Sequence, residues 1–158
     1  MKVLLINGST RKNGCTYTAL TEVAAALNQE GVETEIIQTG GAPIRDCVGC
    51  GGCAKTGKCV FDDDLVNEVI EKTKTADGFM FGAPVYFAHP SAQIQALLDS
   101  VFYAGGIAFD HKPGAAVTSA RRAGTTTSLD VIGKYFGISQ MPGCILNLLE
   151  YGLWQNAG

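Results

Sequence analysis

KVLLINGSTRKNGCTYTALTEVAAAL, residues 2–27, decides the fold. Val3 to Ile6 is a short unbroken apolar run, which reads as a strand buried on both faces of a parallel sheet. Asn7 to Thr16 is polar and carries two glycines. Leu20, Val23, Ala24 and Leu27 then recur at helical spacing. Strand, small-residue loop and helix N-terminus together make a geometry that captures an anion, because unpaired backbone N–H groups and the positive helix end face one spot. Ser9, Thr10 and Thr16 add hydroxyls there, and Arg11 adds a guanidinium. The loop of nucleotide triphosphatases needs four residues between its glycines and then a lysine. Here five residues separate Gly8 from Gly14, and Cys15 stands where the lysine would be. The dinucleotide fingerprint G-x-G-x-x-G is absent as well. A terminal phosphate monoester suits the loop; an ordinary βα turn is the other reading of this stretch alone.

Working outward, 158 residues make one domain, 1–158, with enough chain to bury a core. Apolar residues reach 46%, charged residues only 17% and net charge is −3, with no basic stripe, so no nucleic acid is expected as partner. No apolar run is long enough to span a membrane. The chain opens directly into a strand without a signal peptide, which leads us to expect a cytoplasmic protein. Six cysteines in a reducing compartment then serve as metal or redox ligands, or as core residues, rather than as a disulfide framework.

Gly31 ends the first helix, and residues 32–38 (VETEIIQ) read as strand two. A glycine- and cysteine-rich loop fills 40–60. Asp62, Asp63 and Asp64 before Leu65, and Lys72 and Lys74 after Ile70, complement the dipole of a helix. Residues 78–83 (GFMFGA) form strand three, 84–90 a loop, and Ser91 caps a helix bearing Ile94, Leu97, Leu98 and Val101. Residues 113–118 make strand four and 119–126 a small-residue loop. A helix through Leu129, Ile132 and Phe136 closes near Gly137, and 143–149 (GCILNLL) form strand five. Strand and helix alternate without repeat or linker, which argues an α/β parallel sheet. Ligands of such sheets sit beyond the carboxyl ends of the strands. The loops at 8–16, 84–90 and 119–126 all lie there, and Tyr86 and Phe87 offer flat partners to a ring. Their joint character suggests a bound aromatic mononucleotide.

In this order and spacing, GSTRKNGCT (8–16), GAPVYF (82–87) and TSARRAGT (118–125) resemble the NADPH-dependent FMN reductase family of flavodoxin-like proteins, its iron–sulfur flavoprotein branch above all. The likeness runs from Met1 to about Pro142. It implies a three-layer flavodoxin-like sandwich around a parallel five-stranded sheet in the order 2-1-3-4-5. It implies FMN as cofactor, with Ser9, Arg11, Cys15 and Thr16 at the phosphate. Pro84, Val85, Tyr86 and Phe87 would lie beside the ribityl chain and ring, with Ser119, Arg122 and Gly124 across it. The family usually carries Asn where this chain has Cys15, so a polar contact to the phosphate is lost and its backbone N–H remains. The implied activity is an NAD(P)H-dependent FMN reductase-like oxidoreductase, with NAD(P)H or ferredoxin as electron donor and a homo-oligomer, dimer or tetramer, as assembly. A non-enzymatic flavodoxin-like electron carrier is the alternative, and a folded relic without FMN is a third. No general acid or base stands out; His89 and His111 are the only histidines, and His89 reads as a surface-loop residue.

Cys47, Cys50, Cys53 and Cys59 crowd four thiols into one loop inserted after strand two. Two two-residue gaps match the start of a bacterial ferredoxin run, and Cys59 can reach a fourth corner of a 4Fe–4S cluster. Gly49, Gly51, Gly52 and Gly57 let the backbone wrap closely. Zinc is a rival, although four-cysteine zinc sites usually draw on two separated pairs. A cysteine loop without metal is another. Cys144, on an apolar strand, reads as core.

The resemblance implies an apolar strand, a Tyr-Trp-Asn segment and a closing helix after Pro142. Residues 143–158 (GCILNLLEYGLWQNAG) lack that helix. Permitted codons for this tail, read one nucleotide later, can encode VVSSTYWNMVYG. A frameshifted tail is therefore one hypothesis and a short natural terminus the other; resequencing that finds an intact frame, with relatives ending alike, removes the first. On the frameshift reading, the missing helix leaves apolar sheet surface exposed or covered by a second subunit.

Overall fold

A computed structural model describes residues 1–149 of the chain, with side chains through residue 143. In chain order the elements are β1 (Lys2–Asn7), α1 (Cys15–Gln29), β2 (Glu33–Gln38), α2 (Cys53–Thr56), α3 (Val66–Thr73) and β3 (Gly78–Tyr86). There follow β4 (His89–Pro90), α4 (Ala92–Gly105), a 3-10 turn (Gly106–Ala108), β5 (Gly114–Ala120), α5 (Thr125–Ile138) and β6 (Gly143–Leu149). The sheet runs β2-β1-β3-β5-β6, all parallel, with β4 attached antiparallel to β3. Leaving the two-residue β4 aside, this is the expected order 2-1-3-4-5.

Helices cover both faces, giving three layers. On one face Leu20 and Ala24 of α1 bury against Leu5, Met80 and Val117. On the other, α3, α4 and α5 bury Val69, Ile70, Ile94, Leu97, Leu129 and Phe136 against Leu4, Ile6, Phe79 and Phe81. The alternation of β1 explains the split: Leu4 and Ile6 face one way, Leu5 the other. Ring pairs knit the second layer, with Phe102 stacked on Phe109 at 4.0 Å and Phe81 on Phe136 at 5.8 Å. Each fully buried phenylalanine contributes roughly 2–3 kcal/mol of hydrophobic stabilisation.

Three details depart from the sequence reading. The segment 84–90 is not a plain loop: β3 continues through Tyr86 and turns back as β4, pairing Tyr86 with His89. Ser91 does stand at the N-cap of α4, but its hydroxyl donates to the Gly8 carbonyl at 2.8 Å instead of capping the helix. The cysteine loop contains the short helix α2, which the glycine-rich composition did not suggest. The backbone of β6 confirms strand five, whereas the side chain of Cys144 and residues 150–158, where the altered tail and missing helix were expected, lie outside what is described.

Among the described residues two buried side-chain atoms lack a hydrogen-bond partner, Gln93 Oε1 and Ser128 Oγ. Ser128 is fully buried in α5, and its Oγ has no hydrogen-bond partner among the described residues. An unsatisfied buried hydroxyl costs about 1–3 kcal/mol, so Ser128→Ala is expected to raise the melting temperature. A lower melting temperature than wild type would show that the hydroxyl has a partner in solution.

Candidate functional site

The loops after β1, β3 and β5 meet at the carboxyl edge of the sheet. Gly8 N–H donates to the Gly82 carbonyl at 2.8 Å, joining the first loop to the end of β3. Ser91 holds the Gly8 carbonyl, and Ser91 N–H donates to the Pro84 carbonyl at 3.1 Å. Thr16 Oγ1 and Ser119 Oγ share a hydrogen bond of 2.9 Å across 103 residues of sequence. A Cβ built on Gly124 would lie 2.5 Å from Ala88 Cα, so the second and third loops touch.

Within this crevice the expected residues take distinct positions. Ser9 is buried; its N–H donates to Asn7 Oδ1 at 3.1 Å and its Oγ accepts from Arg11 N–H at 3.1 Å. Arg11 is exposed, Cys15 half-buried at the first turn of α1, and Thr16 buried. The Thr16 hydroxyl is thus engaged with Ser119 in this structure. Pro84 and Val85 are half-buried, whereas Tyr86 and Phe87 are exposed at the hairpin tip, Phe87 completely. Phe87 and Ala88 both have positive φ, 51° and 62°, as a two-residue hairpin turn of type I′ requires. Neither is glycine, so the turn carries strain, a common mark of ligand-facing loops. Ser119 is half-buried, Arg122 exposed, and Gly124 has φ 97° at the start of α5.

The electrostatics are one-sided. Helices α1, α4 and α5 all begin at this edge, and no side chain caps any of them. Their uncapped N-termini present backbone N–H groups and positive dipole ends. The three loops hold Arg11, Lys12, Arg121 and Arg122 but none of the 15 acidic residues, on a chain whose net charge is −3. A phosphate fits such a crevice.

The second centre is the cysteine loop. Cys47, Cys50, Cys53 and Cys59 all line one cavity of about 100 Å³, with Val48, Val60, Phe61 and Tyr103 among its walls. Its lining is almost wholly apolar and contains no carboxylate or imidazole. Cys50 is exposed and the other three are half-buried. Among the described residues no three His, Cys, Asp or Glu side chains are drawn together as a metal-binding group. The donor chemistry, four soft thiols, fits an iron–sulfur cluster or zinc. Asn67 of α3 clamps the far end of the loop: its Oδ1 accepts from Cys59 N–H at 2.9 Å, and its Nδ2 donates to the carbonyls of Cys59 and Phe61 at 3.1 and 3.0 Å. The near end is held by Arg45, which pairs with Asp63 at 2.9 Å and stacks over Phe61 at 4.4 Å.

The family-model comparison matches residues 1–144 to the NADPH-dependent FMN reductase family. The chain belongs to this family. Within it, the chain is similar to an iron–sulfur flavoprotein of Methanocaldococcus jannaschii, 39% identical over 89% of this chain and 74% of the relative. It is also similar to an iron–sulfur flavoprotein of Methanosarcina thermophila, 30% identical over 89% of this chain and 75% of the relative. As an FMN reductase family member it shares its fold with the NAD(P)H:quinone oxidoreductase of Methanothermobacter marburgensis, at TM-score 0.74 and 13% identity over 99% of this chain and 86% of that one. An archaeal flavodoxin matches at TM-score 0.65 and 14% identity, over 96% of this chain and 85% of that one. The fold is thus flavodoxin-like, and the chain stands in the iron–sulfur flavoprotein branch of the family. Among the described residues no helix is long and apolar enough to cross a membrane.

Sequence reasoning missed the residues that hold the loops in place: Asn7, Gln38, Ser91 as a tie to Gly8, and Asn67. All are amides or hydroxyls at element ends, where such side chains bond backbone groups, but nothing local tells which backbone group each one meets. Also unforeseen is Tyr135, whose hydroxyl donates to Asp99 Oδ1 at 2.5 Å while its ring tilts on Phe102. Burial first, and then the bond to the Asp99 carboxylate, push its ionisation well above the ordinary tyrosine value of about 10. A raised tyrosine pKa contributes stability that is present below about pH 10 and is lost as pH rises through the folded value. Tyr135→Phe is expected to cost about 1–2 kcal/mol at neutral pH by leaving Asp99 unpaired, and to flatten the alkaline fall in stability. Thermal melts of both proteins across the alkaline range check this, and parallel alkaline curves would refute it.

Proposed function

We propose that the protein is an FMN-binding oxidoreductase that passes electrons between a reduced donor, NAD(P)H or ferredoxin, and an acceptor, with a 4Fe–4S cluster on Cys47, Cys50, Cys53 and Cys59. The observation that carries this reading is the meeting, at one edge of the sheet, of three helix N-termini without side-chain caps and three loops that contain no acidic residue. Ser9, Arg11, Cys15 and Thr16 would receive the phosphate, with backbone N–H groups of α1 supplying most of the contact. Pro84, Val85, Tyr86 and Phe87 would lie beside the ribityl chain and ring, with Ser119, Arg122 and Gly124 across the ring. When bound, FMN supplies two-electron chemistry and a cluster single-electron transfer; the protein supplies placement and electrostatics. Three exposed apolar side chains that line the cysteine cavity, Val48, Val60 and Tyr103, support assembly into a homo-oligomer.

A visible spectrum of protein purified without oxygen tests both cofactors at once. Flavin bands with a broad brown absorbance are expected, and stopped-flow mixing with NADPH or NADH should bleach the flavin. Bleaching by ferredoxin-type donors alone would replace the reductase with an electron carrier. No pigment in fresh protein and no binding of added FMN would end the reading altogether. Cys53→Ser should bring iron content to background while flavin content stays at the wild-type level. Zinc in place of iron in the wild type would overturn the cluster assignment.

A further inference from the structure

Gln38 lies at the carboxyl end of β2, opposite Asn7 in the β1–β2 register. Its Oε1 accepts from Asn7 Nδ2 at 2.5 Å, and its Nε2 donates to the Ser9 carbonyl. Asn7 Oδ1 in turn accepts from Ser9 N–H at 3.1 Å. The three residues thus close a ring of hydrogen bonds in which two side-chain amides hold both ends of Ser9's backbone. Asn7 is fully buried, and its own carbonyl accepts twice from Thr39, from N–H at 3.1 Å and from Oγ1 at 3.0 Å. The ring is therefore anchored to both strands.

We propose that Gln38 is a positioning residue that sets the β1–α1 loop for phosphate and so makes the site prefer a phosphorylated flavin to its unphosphorylated form. The proposal rests on the FMN reading above. A carbonyl turned into an anion site opposes the anion. Gln38 commits the Ser9 carbonyl to the β2 side. Because the peptide is planar and trans, the Thr10 N–H then faces the opposite way. Asn7 supports the arrangement by presenting its amide to Gln38 and its oxygen to Ser9. A glutamate at position 38 reverses the effect, since a carboxylate cannot donate to the carbonyl and adds negative charge beside the loop.

Flavin-free full-length protein titrated with FMN and, separately, with riboflavin tests this, with quenching of flavin fluorescence as readout. Gln38→Leu is expected to weaken FMN binding about tenfold or more, through loss of its two part-buried hydrogen bonds, with Asn7 and with the Ser9 carbonyl. Riboflavin affinity should stay within about twofold, because the ring contacts do not pass through the Ser9 peptide. Gln38→Glu, close in shape, should weaken FMN at least as far; it also serves if the leucine variant does not fold. Unchanged FMN affinity in a folded variant would overturn the proposal, as would equal loss of FMN and riboflavin, which marks a merely structural role. Wild-type protein that binds neither flavin would overturn the FMN reading first and this proposal with it; wild type that binds both equally would overturn the proposal alone.

Discussion

Replacing Gly124 with alanine is expected to abolish tight FMN binding and to destabilise the protein by about 2–5 kcal/mol. Two independent penalties add. At φ 97° the backbone is left-handed, where a Cβ costs about 1–2 kcal/mol. The new Cβ would also stand 2.5 Å from Ala88 Cα and 3.0 Å from Val85 Cγ1, and overpacking of that kind costs about 1–3 kcal/mol. The nearest obstacle is backbone, on a hairpin tip already strained by positive φ at Phe87 and Ala88. The hairpin must therefore lift away from α5, opening the crevice where the flavin ring would lie. For a chain of this size the melting temperature should fall by roughly 6–15 °C. Gly137→Ala is the matched control: its Cβ meets nothing within 4 Å and its φ is not positive, so stability should hold or rise slightly. A Gly124→Ala protein that melts and binds FMN like wild type would mean that the second and third loops do not touch in solution.

Gly8→Ala is expected to rank next, at about 3 kcal/mol of lost stability together with loss of FMN binding. Its Cβ would fall 2.6 Å from Ile94 Cβ and 2.9 Å from the Gly82 carbonyl oxygen. Neither atom is the free end of a side chain, so relief requires α4 or β3 to move. Movement breaks the bond from Gly8 N–H to Gly82 and the bond from Ser91 to Gly8, both 2.8 Å. The same argument predicts that Ile94→Ala will not rescue the variant, because alanine keeps the Cβ that clashes. Urea denaturation of Gly8→Ala with and without Ile94→Ala reads this directly. Rescue by Ile94→Ala would place the conflict further out along the side chain than the geometry has it.

Much of the architecture is legible along the chain because its causes are local. The run Val3–Ile6 has no polar interruption, and the α5 face Leu129, Ile132 and Phe136 repeats at helical spacing, so each element declares its type within a few residues. Strand and helix then alternate, and alternation leads to a parallel sheet. The hairpin at 84–90 was not legible for the same physical reason. Phe87 and Ala88 carry none of the glycine or asparagine that signals a turn with positive φ. The conformation is accompanied by partners far along the chain: Gly124 packed against Ala88, and Ser91 bonded to Gly8.

The candidate site divides along the same line. Residue types within short segments settle which chemistry each loop can offer: hydroxyls and a guanidinium at 8–16, aromatic rings at 86–87, four thiols at 47–59. They do not settle which group meets which. Thr16 pairs with Ser119 across 103 residues, and Gln38 reaches Asn7 because β1 and β2 are in that register. Gly8 lies under α4, with no room for a side chain. Such pairings follow from how strands align and how closely layers pack, which depend on the whole chain at once. Local patterning specifies the elements and their donor groups; packing between distant segments assigns each donor its partner.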